Sequence, residues 1–115
     1  MAHPVVHFEV AGSDLDRLRS FYSELFGWKT HKVPGDMPYA MVENEDNGIG
    51  GGIGQAPDGN GHVTFYVDTD DLQATLDKAE QLGGKTILPV TKLPQVTIAL
   101  FADPEGHVIG LAKGM

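Results

Sequence analysis

Five side chains in this 115-residue sequence have the types and spacing that could do chemistry: His7, Glu9, His62, Thr64 and Tyr66. An extended backbone over Val5–Val10, V-V-H-F-E-V, sends alternate side chains to opposite faces. Val6, Phe8 and Val10 then share an apolar face, and Val5, His7 and Glu9 share the other. The stretch His62–Val67 repeats the pattern, with Val63, Phe65 and Val67 apolar and His62, Thr64 and Tyr66 opposite. An imidazole can bind a divalent ion or polarise an oxygen. A carboxylate can take a proton from carbon when burial raises its pKa toward neutrality. His7 and His62 are therefore candidate metal ligands, and Glu9 is the candidate catalytic base. The competing reading makes both imidazoles polar pocket lining and Glu9 a solvated rim carboxylate. Positions two apart on a strand lie about 6.6 Å apart, so one ion shared by His7 and Glu9 requires favourable rotamers.

Other chemistries fall away. Cysteine is absent, which removes disulfides, thiolate metal sites and thiol nucleophiles. No Ser-His-Asp arrangement can be assembled. The run Gly48–Gly54, G-I-G-G-G-I-G, lacks a G-K-[ST] and a following helix, so it is no phosphate loop. Strand residues without side chains leave room instead, and the run is expected to widen a pocket. Asp103–Gly106, D-P-E-G, reads as a hairpin turn with an exposed His107 behind it.

These residues need a scaffold, and the periodicity supplies one. Leu15, Leu18, Phe21, Tyr22, Leu25 and Phe26 recur at helical spacing between an Asp14 cap and Gly27. Asp70-Asp71 opens a second helix carrying Leu72, Leu76, Ala79 and Leu82, closed by Gly83-Gly84. Strands are expected at Trp28–Val33, Tyr39–Glu43, Gly48–Gly54, Thr86–Val90, Val96–Phe101 and Val108–Ala112, with turns at Glu45–Gly48 and Ala56–Gly61. Pro89 and Pro94 are expected to stop the strand at Thr86–Val90. The halves repeat: His7 and His62 are 55 residues apart, Asp14-Leu15 and Asp71-Leu72 57, and Gly27-Trp28-Lys29-Thr30 and Gly83-Gly84-Lys85-Thr86 56. A single α+β domain over 1–115 follows, built of βαβββ units at about 3–55 and 60–113. Each helix covers one sheet face, and the polar faces are expected to line a cleft.

Composition bounds the partners. A net charge of −8, with only 8 Lys and Arg, excludes a nucleic-acid surface. No apolar run approaches the roughly 20 residues of a membrane span. The start M-A-H-P has no basic and apolar leader pattern, so the cytoplasm is the expected compartment. Open sheet edges in so short a chain favour a homodimer.

With those words in place, the chain resembles the vicinal oxygen chelate superfamily, which includes glyoxalase I, extradiol dioxygenases and bleomycin-binding proteins. The resemblance rests on H-F-E-V at 7–10, F-Y-S-E-L-F-G-W at 21–28, G-H-V-T-F-Y-V-D at 61–68 and F-A-D-P-E-G-H-V-I-G-L at 101–111. It implies paired βαβββ units with mixed sheets curved into an incomplete barrel around a ligand cleft, commonly in a homodimer. It also implies metal ligands on the first and last strands of each unit. The first-strand positions are His7 and His62; the last-strand positions, often Glu in the family, fall within Gly50–Gly52 and at Gly110. The implied cofactor is one divalent ion (Zn, Ni, Fe or Mn) or none. The expected pocket comprises His7, Glu9, His62, Thr64, Tyr66, Tyr39, Met41, Phe101 and Gly110, with Trp28 and His31 as further walls. The implied function is a glyoxalase/bleomycin resistance-like protein, a metal-assisted lyase or isomerase on a carbonyl or enediol-type substrate. The alternative is a drug-sequestering protein that binds a small molecule without chemistry. Glycines at both carboxylate positions count against glyoxalase I activity itself.

Overall fold

Alternation and helical spacing become real elements in the computed structural model, which describes residues 2–44, 48–56 and 58–114. Residues 45–47 of the turn expected at Glu45–Gly48, and Pro57 of the second turn, lie outside the described residues. The fold is α+β, in two compact units, residues 7–63 and residues 64–114 with 2–6.

The first unit holds β1 (Val5–Gly12, entering the unit at His7), α1 (Leu15–Phe26), β2 (Thr30–Lys32), β3 (Tyr39–Val42) and β4 (Gly50–Gln55). Its sheet order is β2-β3-β4-β1, with β1 parallel to β4 and the other neighbours antiparallel. Helix α1 starts where the Asp14 carboxylate accepts the Arg17 N–H at 3.1 Å. The Gln55 side chain accepts a second free amide, Leu15 N–H, at 3.2 Å. The helix ends at Gly27, whose φ of 73° suits the left-handed cap and whose N–H donates to Ser23 O at 2.8 Å. Its apolar face packs with Ala40, Val42 and Ile53 through Leu15, joined by Phe8, Leu18, Tyr22 and Trp28.

The second unit holds β5 (His62–Asp68, entering at Thr64), α2 (Leu72–Gln81), β6 (Lys85–Lys92), β7 (Thr97–Ala102) and β8 (Val108–Lys113). Its order is β5-β8-β7-β6, again with its first strand parallel to its last. The Asp71 carboxylate caps α2 by accepting Ala74 N–H at 3.0 Å. Leu72 and Leu76 pack on Ala99 and Leu111, with Val67 and Phe101 against them.

One strand runs further than expected. Strand β6 continues through Pro89 to Lys92, with register shifts between Thr86 and Leu88 and between Leu88 and Thr91. It stands last in its sheet order, where a residue lacking an N–H costs no ladder bond on the open side.

Candidate functional site

Strand β1 sorts its side chains as alternation requires. Phe8 goes under α1, its ring 5.1 Å from Trp28, which also lies 5.3 Å from Tyr22. His7 and Glu9 therefore point to the face that α1 does not cover. Across the parallel ladder His7 is registered with Gly50 and Glu9 with Gly52. Across the antiparallel one, Met41 is registered with Gly52 and Tyr39 with Gly54.

On that face two hydrogen-bonded pairs form within residues 7–63. His7 Nε2 and Tyr39 Oη are 2.8 Å apart, with the rings stacked at 21° and 6.4 Å between centroids. His62 Nε2–H donates to Glu9 Oε2 at 2.9 Å. The pairs differ in access: His7 is only 4% exposed, whereas the Glu9 and His62 side chains are 15% and 50% exposed. Burial pushes the His7 pKa below its ordinary 6.5, and the negative charge of Glu9 pulls it partly back. His7 is accordingly an uncharged imidazole at neutral pH, with one ring nitrogen acting as a donor and the other as an acceptor.

Tyr39 reaches His7 because position 52 is glycine. A Cβ built on Gly52 would fall on the Tyr39 hydroxyl and ring. Likewise a Cβ on Gly51, on the helix side, would fall inside the Phe8 ring. The glycines of β4 thus make room for protein rings on both faces, where the sequence suggested only room for a ligand.

In the second unit Thr64 and Tyr66 are buried. Thr64 Oγ1 donates to Val108 O at 2.7 Å, which ties β5 to β8. Tyr66 is registered with Gly110, and its ring covers that glycine as Tyr39 covers Gly52. Other expected placements shift. Phe101 packs in the α2 cluster, on the face of Ala99 and Leu111, away from Gly110. Trp28 belongs to the α1 core and His31 is exposed. Of the expected apolar face of β5, Val67 packs against the α2 cluster, while Val63 is 75% exposed and Phe65 is exposed too. His107 Nδ1–H donates to Asp103 Oδ2 at 2.9 Å inside the D-P-E-G turn. Backbone N–H donors from His107 and Glu105 hold the Asp103 carboxyl below its usual range.

A separate cavity of about 490 Å³ opens at the start of α1, lined by residues that include Gly12, Asp14, Arg17, Phe21 and Tyr22. None of His7, Glu9, Tyr39 or His62 lines it.

A sheet face of this kind, with a helix behind it in each βαβββ unit, marks a class of protein that comparison makes explicit. The family model of the Glyoxalase/Bleomycin resistance protein/Dioxygenase superfamily matches residues 5–111, and the chain belongs to that superfamily. A glyoxylase-like domain-containing protein from Didymella fabae is 30% identical over 110 residues, covering 86% of this chain and 84% of its own. Methylmalonyl-CoA epimerase from Mycobacterium tuberculosis is 14% identical with a TM-score of 0.71, covering 96% of this chain and 87% of that one. A variant of the Streptomyces coelicolor methylmalonyl-CoA epimerase, solved with 2-nitronate-propionyl-CoA, is 16% identical with a TM-score of 0.68 and 96% coverage of each chain. At such identities these structures share the fold.

The divalent ion that the resemblance implies can be tested against the donors present. Among the described residues no group of three or more His, Cys, Asp and Glu gathers in a way that could hold an ion. Protein metal sites usually supply three or four ligands. His7 and His62 fall short of that number, with glycines at the carboxylate positions, so no chemical step is derived through a metal.

Proposed function

We propose that the β1 face takes a small carbonyl compound and that Glu9 moves a proton at the carbon beside the carbonyl. The support is one observation: a carboxylate held by His62 and a hydroxyl held by a neutral His7 stand on the same strand face. In this reading the Glu9 carboxylate takes the C–H proton, and the electron pair moves onto the carbonyl oxygen. The Tyr39 hydroxyl donates a hydrogen bond to that oxygen, and Glu9 then returns a proton either to the same carbon, which gives hydrogen exchange, or to the neighbouring carbon of an enediolate, which completes an isomerisation. His62 orients Glu9. The arrangement suits an isomerase or lyase on an enolisable substrate. Two neighbours in fold carry the name methylmalonyl-CoA epimerase, and removing a proton beside a thioester carbonyl is chemistry of this kind. Met41, half-buried and registered with Gly52, would form part of the wall.

The test is exchange of carbon-bound hydrogen in D2O, followed by proton NMR on hydroxyacetone, a hemithioacetal and a propionyl thioester. The wild type is expected to speed exchange of at least one of them, and Glu9→Gln to slow it by about 10²–10⁴-fold. A compound that binds without exchanging would favour the second reading, a binding protein without chemistry. A cytoplasmic homodimer completes the proposal, with the exposed Phe21, Leu25 and Phe26 of α1 as apolar surface to be covered. Sedimentation velocity reads that state directly.

A further inference from the structure

Tyr39 and Gly52 are two halves of one steric arrangement. Position 52 faces Glu9 across the β1/β4 ladder, and a side chain there would project into the volume of the Tyr39 hydroxyl. That hydroxyl sits 2.8 Å from His7 Nε2. A carboxylate carried at position 52 would therefore arrive beside His7, on the face that also carries Glu9 bonded to His62. It would supply the third donor that the described residues lack. The ring and the carboxylate cannot both be there.

We propose that Tyr39 and Gly52 form an interlocked pair that closes a latent divalent-metal site, so that this chain works through a phenol–imidazole hydrogen bond where a metal-binding version would carry a carboxylate. The glycine is needed for the tyrosine to lie down, and the tyrosine excludes any ligand-bearing residue at 52. In the second unit the Tyr66 ring lies over Gly110, its direct cross-strand neighbour, so a tyrosine again fills the place of a missing side chain, although from a different strand and register. The interlock stands whether or not Glu9 moves a proton, because it is read from metal binding and stability.

The experiment compares untagged wild type, Tyr39→Ala and the double variant Tyr39→Ala/Gly52→Glu, each titrated with Zn²⁺ by calorimetry and with Co²⁺ by visible absorption. The double variant is expected to take one ion per chain at least about 100-fold more tightly than the other two, with the absorption of a nitrogen- and oxygen-ligated Co²⁺. A wild type that binds one ion per chain as tightly as the double variant would overturn the proposal. So would a folded double variant that gains no affinity. Should the double variant not fold, Gly52→Ala settles the interlock. It is expected to lower Tm by about 5 °C or more in the wild type, and by less than half as much in the Tyr39→Ala background. An equal loss in both backgrounds would overturn the proposal.

Discussion

His7 and His62 open equivalent strands of a repeated sequence and end in opposite circumstances. His7 is buried, neutral and bonded to a phenol; His62 is half exposed and bonded to a carboxylate. The strands that carry them do not cause the difference. Strand β3 brings Tyr39 over the glycines of β4 onto His7, whereas His62 finds Glu9, a residue of β1. Equal positions in a repeat thus acquire different burial and different partners from what their neighbours lay across them.

The comparison can be broken most forcefully at Glu9. Glu9→Gln keeps the size of the side chain and removes the base, and exchange of carbon-bound hydrogen should fall by about 10²–10⁴-fold. Equal exchange in the variant would move the base elsewhere. Next comes His7→Ala, which removes a buried ring and its bond to Tyr39. Denaturant unfolding should show a loss of about 2–3 kcal/mol.

Acid provides a gentler probe. The folded pKa of His7 lies below 6.5, so below that pH the unfolded chain binds a proton that the folded chain resists. The His7 contribution is fully present above 6.5 and is lost as pH falls toward the folded value. Wild-type Tm should therefore drop more steeply between pH 7 and pH 5 than that of His7→Asn. Identical slopes would contradict a buried, neutral His7. The smallest effect belongs to His62→Ala. Its ring is half in water, so stability should change by no more than about 0.5 kcal/mol, while exchange slows because Glu9 loses its orienting partner.

Much of the fold was legible because it is written in local signals. Asp14 and Asp71 cap the helices, Gly27 ends the first, and alternation separates His7 and Glu9 from Phe8. Tyr39 as the partner of His7 was not, since strand register and a ring leaning two residues along its neighbour leave no trace in spacing. A usable clue did exist: glycines at 52 and 54 alternate on the face of an adjacent tyrosine, which suggests a ring needing room. Phe101 was misplaced for a related reason. Its strand has apolar residues on both faces, so sequence alone could not say that it shares the α2 side with Ala99. Strand β6 passed through Pro89 because edge position, a tertiary property, decides whether proline is tolerated.

A neutral imidazole held under Tyr39, beside a partly exposed carboxylate, carries the proposed chemistry. NMR titration of the histidine ring resonances tests it most directly, with His7 assigned through the His7→Asn variant. The His7 ring is expected to titrate below 6.5 in the wild type and to titrate higher in Tyr39→Ala, because that variant removes a ring that helps bury the imidazole and keeps the Glu9 charge that raises its pKa. A His7 that titrates at or above 6.5 in the wild type would contradict the buried pair and the chemistry built on it.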